Sequence, residues 1–184
     1  MNTHSDMAIT SGSTTNKKLV LHITRDDLRI AWLAAFAICI HILESSLPSP
    51  IPGIKPGLAN IVTIVVLLKY GWGSAAWVSL LRVLGSSLIT GTFLSPTFLL
   101  SSTGMLATLL VLWTANQLSV LRPGAIGFSV LAALAHMSGQ FLLAYLVFIP
   151  HPGMLNLFPV LMSVALVLGI VNGIISQKLF TRIA

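Results

Sequence analysis

The sequence predicts an all-α integral membrane protein, a six-transmembrane-helix bundle with both termini in the cytoplasm. Three observations carry that prediction. Hydrophobic residues fill 55% of the 184 positions and charged residues only 8%, for a mean hydropathy of +0.95. Apolar stretches recur between clusters of Pro and Gly, and about 20 residues suffice for one crossing of the hydrocarbon. Lys and Arg collect on one set of loops, which orients the chain.

Residues 1–23 are polar-leaning and rich in Ser and Thr, and read as a flexible cytoplasmic tail ahead of one membrane domain over 24–184. Lys17 and Lys18 stand well before the first apolar run, and no small-residue cleavage site follows. The first helix is therefore expected to be retained rather than removed as a signal peptide.

The spans fall at about 28–47, 57–70, 74–93, 97–117, 124–149 and 154–177. Thr24 and Asp27 suit a capping box at the first, with Asp26 and Asp27 near its positive end. Pro48, Pro50, Pro52 and Pro56 make LPSPIPGIKPG an extended, stiff loop to the second. Gly71–Gly73, Ser95–Pro96, Pro123–Gly124 and Pro150–Gly153 mark the remaining turns.

With the N-terminus inside, the inner face collects Lys17, Lys18, Arg25, Arg29, Lys69, Arg122, Lys178 and Arg182, against Lys55 alone outside. Trp32, Trp72, Trp77 and Trp113 fall toward the same inner boundary, as an interfacial belt does. The net charge of +6 is thus dispersed over helix ends and forms no stripe interleaved with aromatics, which argues against nucleic acid as a partner. Cys39 has no second cysteine to pair with.

Two charges lie inside apolar segments, Arg82 and Glu44. A charge in hydrocarbon costs roughly 3 kcal/mol or more unless it meets a partner or a water-filled cavity. Glu44 stands near the outer end of the first span, with His41 on its face, and either reaches out to water or faces an outward cavity. Arg82, with Ser86 one turn outward, either pins helices through their carbonyls or serves a ligand, and a direct pair with Glu44 is a third possibility.

His136 and Gln140, with Ser129 on the same stripe, suit interhelical hydrogen bonding as well as a site. Asn60, Ser101, Ser102 and Asn156 all fall in the outer half, while Asn172 and Ser176 look like packing residues nearer the cytoplasm. Ala31 and Ala35, and Gly169 and Gly173, have small-xxx-small spacing, which lets helices approach closely within the protein or against a partner.

Four acids in the whole chain exclude much chemistry. There is no carboxylate run to hold magnesium, no Walker motif, no Cys and His cluster with metal-ligand spacing and no haem-attachment motif. Binding or transport suits these residues better than catalysis, and no cofactor or metal is expected.

Glu44 followed by LPSPIPGIKPGLANIVTIVVLLKYG, and then LLRVLGSSLITGTFLSPTFLLSSTGML, resembles the small bacterial membrane family called the Gx transporter family. Its members are often labelled heptaprenyl diphosphate synthase component I. The resemblance covers roughly residues 28–180, and the Pro-Gly-Ile-Lys-Pro-Gly-Leu-Ala-Asn stretch is its most specific part.

That family is similar to the substrate-capture (S) components of energy-coupling-factor vitamin transporters. The resemblance implies six helices in the inner membrane, an outward ligand pocket covered by the first loop, here Leu47 to Gly57, and an Ala-xxx-Ala patch, here Ala31 and Ala35, that meets a membrane coupling subunit served by ATPase subunits. It carries Glu44, Lys55, Asn60, Arg82 and Ser101 over as pocket residues; Ser86, His136 and Gln140 join them from the polar pattern. The expected function is capture of a small, anionic or amphipathic metabolite for uptake driven by partners. The alternative is a non-catalytic membrane subunit of a flavin- or quinone-linked electron-transfer or prenyl diphosphate synthase assembly; this chain has none of the aspartate-rich motifs of a prenyl synthase itself.

Overall fold

The computed structural model describes residues 25–46, 57–118 and 123–183. The tail over 1–23, the capping Thr24, Arg122 and the loop residues 47–56, Lys55 among them, lie outside the described residues.

The described residues form α1 (Arg25–Ser46), α2 (Leu58–Tyr70), α3 (Trp72–Ile89), α4 (Pro96–Gln117), α5 (Ala125–Leu143) and α6 (Phe158–Ile183). The α5 helix widens into a π turn at Ala144–Phe148, and a 3-10 turn at Pro152–Leu157 leads into α6. Each expected helix forms. Local chemistry sets the ends: Asp26 and Asp27 open α1, where Asp26 pairs with Arg29 at 3.2 Å. Ser95 caps α4 by accepting the Phe98 N–H at 3.3 Å, and Pro96 occupies the first turn, where no amide partner is needed. Gly91, at φ +68°, turns the chain after α3, which ends at Ile89 rather than reaching 93. The α6 helix runs on past 177 to Ile183.

Four of these elements are long and apolar enough to cross a membrane: Arg25–Ser45, Pro96–Gln117, Ala125–Phe148 and Pro152–Arg182. Two expected spans differ from that set. Four serines and Arg82 lower the hydropathy of α3, and α2 has only 13 residues, about 20 Å at the usual rise. That is roughly 10 Å short of the hydrocarbon thickness.

The short helix is nevertheless the centre of the fold. It packs against α1, α3, α5 and α6, and Ile61, Val62, Thr63, Ile64, Val66 and Leu67 are all buried. Its apolar run is continuous rather than striped because protein surrounds it on nearly every side. Thr63 and Ser79 meet across the α2–α3 interface at 3.1 Å, so both hydroxyls are satisfied away from water. Val78, Leu112 and Ala132 bring α3, α4 and α5 into the same core. Trp72 donates its indole N–H to the Leu109 carbonyl at 3.2 Å, while Trp32, Trp77 and Trp113 are exposed at the same end of the bundle.

The two small-residue pairs have separate roles. On α6, a Cβ at Gly173 would stand 2.6 Å from the Ile126 backbone, and one at Gly169 would stand 3.0 Å from that of Val130. Those glycines serve the close approach of α5 and α6. Ala31 and Ala35 are exposed, beside the exposed Trp32 and Phe36. We expect Gly173→Ala to destabilise the fold by about 1–3 kcal/mol through overpacking against backbone, read as a lower thermal midpoint in nanodiscs. Gly73→Ala, with nothing within 4 Å of the added carbon, should leave the midpoint unchanged or slightly raised.

Candidate functional site

A helix that starts inside the membrane has a chemical problem. Its first amide groups lack carbonyl partners, and in hydrocarbon each unsatisfied group costs several kcal/mol. The short α2, exposed at Lys69–Tyr70 and packed among four helices, meets this need at its first amides within the protein. Glu44, 3% exposed near the end of α1, answers the problem: its Oε1 accepts the backbone N–H groups of Gly57 and of Leu58, the latter at 3.1 Å. A carboxylate on a helix amino terminus also lies at the favourable end of the dipole.

Gly57 adopts φ +73°, a left-handed conformation that a side chain disfavours. Its carbonyl receives the Asn60 N–H at 2.9 Å and the Asn172 side-chain amide at 3.4 Å. One residue thus ties α1, α2 and α6 together. Asn172 belongs to this junction rather than to generic packing, and Ser176 supports it by donating to the Asn172 carbonyl at 2.8 Å.

Beside the junction, α1, α3 and α4 enclose a recess of about 100 Å³. Its walls include His41 and Ser45 from α1, Ser86, Ser87 and Thr90 from α3, and Ser101 from α4. Ser86, Ser87 and Thr90 donate to carbonyls of their own helix at 3.3, 2.8 and 2.7 Å. Such back-bonds satisfy the hydroxyls locally.

Arg82 stands one turn before Ser86 on α3 and next to Val83, which also lines the recess. It is 7% exposed, and its Nε is buried with no hydrogen-bond partner among the described residues. Glu44 and His136 lie within electrostatic reach. No ion-pair contact between Glu44 and Arg82 is found among the described residues, although the Glu44 charge acts on Arg82.

His136 packs across α5 onto α4. A Cβ at Gly104 would stand 2.8 Å from its ring and 2.9 Å from Gln140, so this glycine creates the space both side chains occupy. Thr108 bonds the Gly104 and Ala132 carbonyls at 2.9 and 3.2 Å and lies 3.4 Å from His136 Nδ1. His136 and Gln140 therefore line the α4–α5 interface, whereas buried Ser129 turns to Gly173 on α6.

Of the residues singled out from sequence, Ser86 and Ser101 share the recess. Arg82 is buried one turn before Ser86 on α3 and is not among its lining, and Glu44 and the Asn60 backbone belong to the α2 junction. His136 and Gln140 stand one layer behind. Ser45, Ser87, Thr90 and Thr97 also line the recess and were not singled out. The hydroxyl-rich run from Ser86 to Thr97 is the signal that points to them.

These features define a polytopic helical membrane protein with a polar recess beside a buried cation. The chain belongs to the family described as heptaprenyl diphosphate synthase component I, which matches residues 33–179. That range takes in Ala35 and every site candidate from Glu44 to Gln140 and leaves Ala31 outside. No curated protein and no solved structure matches the chain.

Glu44→Ala should lower stability by about 3 kcal/mol, since it leaves buried amide groups unpaired. Glu44→Gln, which keeps an acceptor oxygen, should lose about half as much. Unfolding of the purified variants in one detergent checks the order.

Proposed function

We propose that this protein is a membrane substrate-binding subunit that captures a small, anionic or amphipathic metabolite for uptake powered by partner subunits. One observation carries the reading: a cation that is 7% exposed inside a membrane helix, with an unpartnered Nε, borders a recess rich in hydroxyls. A charge used only to pin helices would be expected to end on carbonyls or an acid. The eight basic residues on one side put both termini in the cytoplasm of a bacterial inner membrane. In that orientation the late part of α1, the end of α3 and the start of α4 lie in the outer half, so the recess faces outward. On this reading Glu44, Asn60, His136 and Gln140 support the site rather than bound it, and Lys55, outside the described residues, is a further candidate. The chain acts by binding and is not itself an enzyme.

The exposed strip Ala31, Trp32, Ala35 and Phe36 on α1 is suited to a coupling subunit in the membrane, with ATPase subunits beyond it. The same strip, together with the family's description as a synthase component, favours a second reading. In it the chain is a non-catalytic membrane subunit of a prenyl diphosphate synthase or a flavin- or quinone-linked electron-transfer assembly, and its polar interior is structural.

Mass spectrometry of small molecules released from protein purified in nanodiscs separates the two. The capture reading predicts a stoichiometric compound in the wild type that is lost from Arg82→Ala. Empty protein in both samples, with a partner complex still intact, would favour the second.

A further inference from the structure

We infer that the recess among α1, α3 and α4 receives a compact oxyanion, a carboxylate or phosphate head group, with Arg82 as its counter-ion. This rests on the capture reading above and narrows it to a ligand class.

The charge balance leads there. Glu44 is the acid within reach of Arg82, and its Oε1 is committed to the Gly57 and Leu58 amides. The carboxylate thus serves the positive end of α2 while its charge also acts on Arg82. The guanidinium keeps a buried Nε with no hydrogen-bond partner among the described residues, a donor that is costly to leave unmatched. A neutral ligand would leave that charge as it is, and a cationic one would add repulsion in a medium of low dielectric constant. An oxyanion matches the planar donor fork of arginine, which takes carboxylate and phosphate alike.

The other titratable groups around the recess agree with an anion. His41 lines it and His136 stands behind Arg82; both are neutral or positive. Ser45, Ser86 and Ser101 add hydroxyls that can turn toward an oxygen acceptor.

Volume limits what enters. About 100 Å³ open to the centres of water-sized groups is room for several of them, since roughly 10–15 Å³ of such space suffices for one water. A head group of several heavy atoms fits, with Thr92 and Phe98 also among the lining.

The test uses ligand-free protein in nanodiscs of uncharged lipid and reads the thermal midpoint with butyrate, butyl phosphate, butyramide or butylammonium at matched ionic strength. Wild type is compared with Arg82→Met and Arg82→Lys. The inference expects protection by butyrate or butyl phosphate, at least tenfold weaker in Arg82→Met and partly kept in Arg82→Lys; whichever anion protects more identifies the head group. Should Arg82→Met fail to fold, Ser86→Ala combined with Ser101→Ala serves instead, with a similar tenfold loss expected.

Equal protection by butyramide or butylammonium, or by the anions in wild type and Arg82→Met alike, overturns the oxyanion assignment while leaving capture intact. Absence of protection by every probe also overturns it. If a compound nevertheless co-purifies with the wild type, the capture reading survives, and if none does, both fall together.

Discussion

The carboxylate of Glu44, seated on the first amide groups of a helix that begins inside the membrane, is the contact from which the rest of the interior follows. The α2 helix is too short to cross and is wrapped by four other helices. Its first amides are part-buried and find their acceptor within the protein. Glu44 supplies one from α1, and the side-chain amide of Asn172 takes the Gly57 carbonyl from α6. Packing of α2 then fixes α3, through Thr63 and Ser79, and with it the position of Arg82. Glu44 thereby bonds the start of α2 through Oε1 while its charge also reaches Arg82, and the hydroxyls of the neighbouring recess come from α1, α3 and α4.

The helices were legible in the sequence because membrane segments advertise themselves by length and apolarity, and Pro and Gly mark their ends. The depth of α2 was not. A run of apolar residues over 57–70 is as consistent with a slightly short span as with a buried half-helix; only the neighbours decide. Glu44 is conspicuous in the sequence as an acid in an apolar segment, yet its bonding is not legible there, because its partners are backbone amides beyond a proline-rich stretch and carry no side-chain signature. Asn172 is likewise 115 residues from the carbonyl it meets. Ser86 stands out one turn from an intramembrane charge, and Ser101 through the outer-half polar pattern and the family resemblance; both line the recess. Gly104 was overlooked, since nothing in a helical Gly reveals that an imidazole needs the space.

The same logic separates the small-residue motifs. Identical spacing on α1 and α6 has different uses, internal contact for Gly169 and Gly173 and an open face for Ala31 and Ala35. Spacing specifies that backbones can approach closely but not which backbone approaches. Exposed Trp32 and Phe36 on the open face are equally suited to lipid and to a membrane partner, so that surface alone does not define a complex.

At the centre of the account is the idea that Arg82 is retained for a ligand at some expense to the empty protein. Polar groups kept for function commonly reduce stability, and replacing a poorly compensated buried charge by an apolar side chain of similar size is often neutral or stabilising. The decisive measurement is therefore the thermal midpoint of Arg82→Met against wild type, both stripped of small molecules and in the same nanodiscs. An equal or higher midpoint for the variant is what the account predicts. A midpoint lower by several degrees would contradict it and make Arg82 a structural pin of the helix bundle.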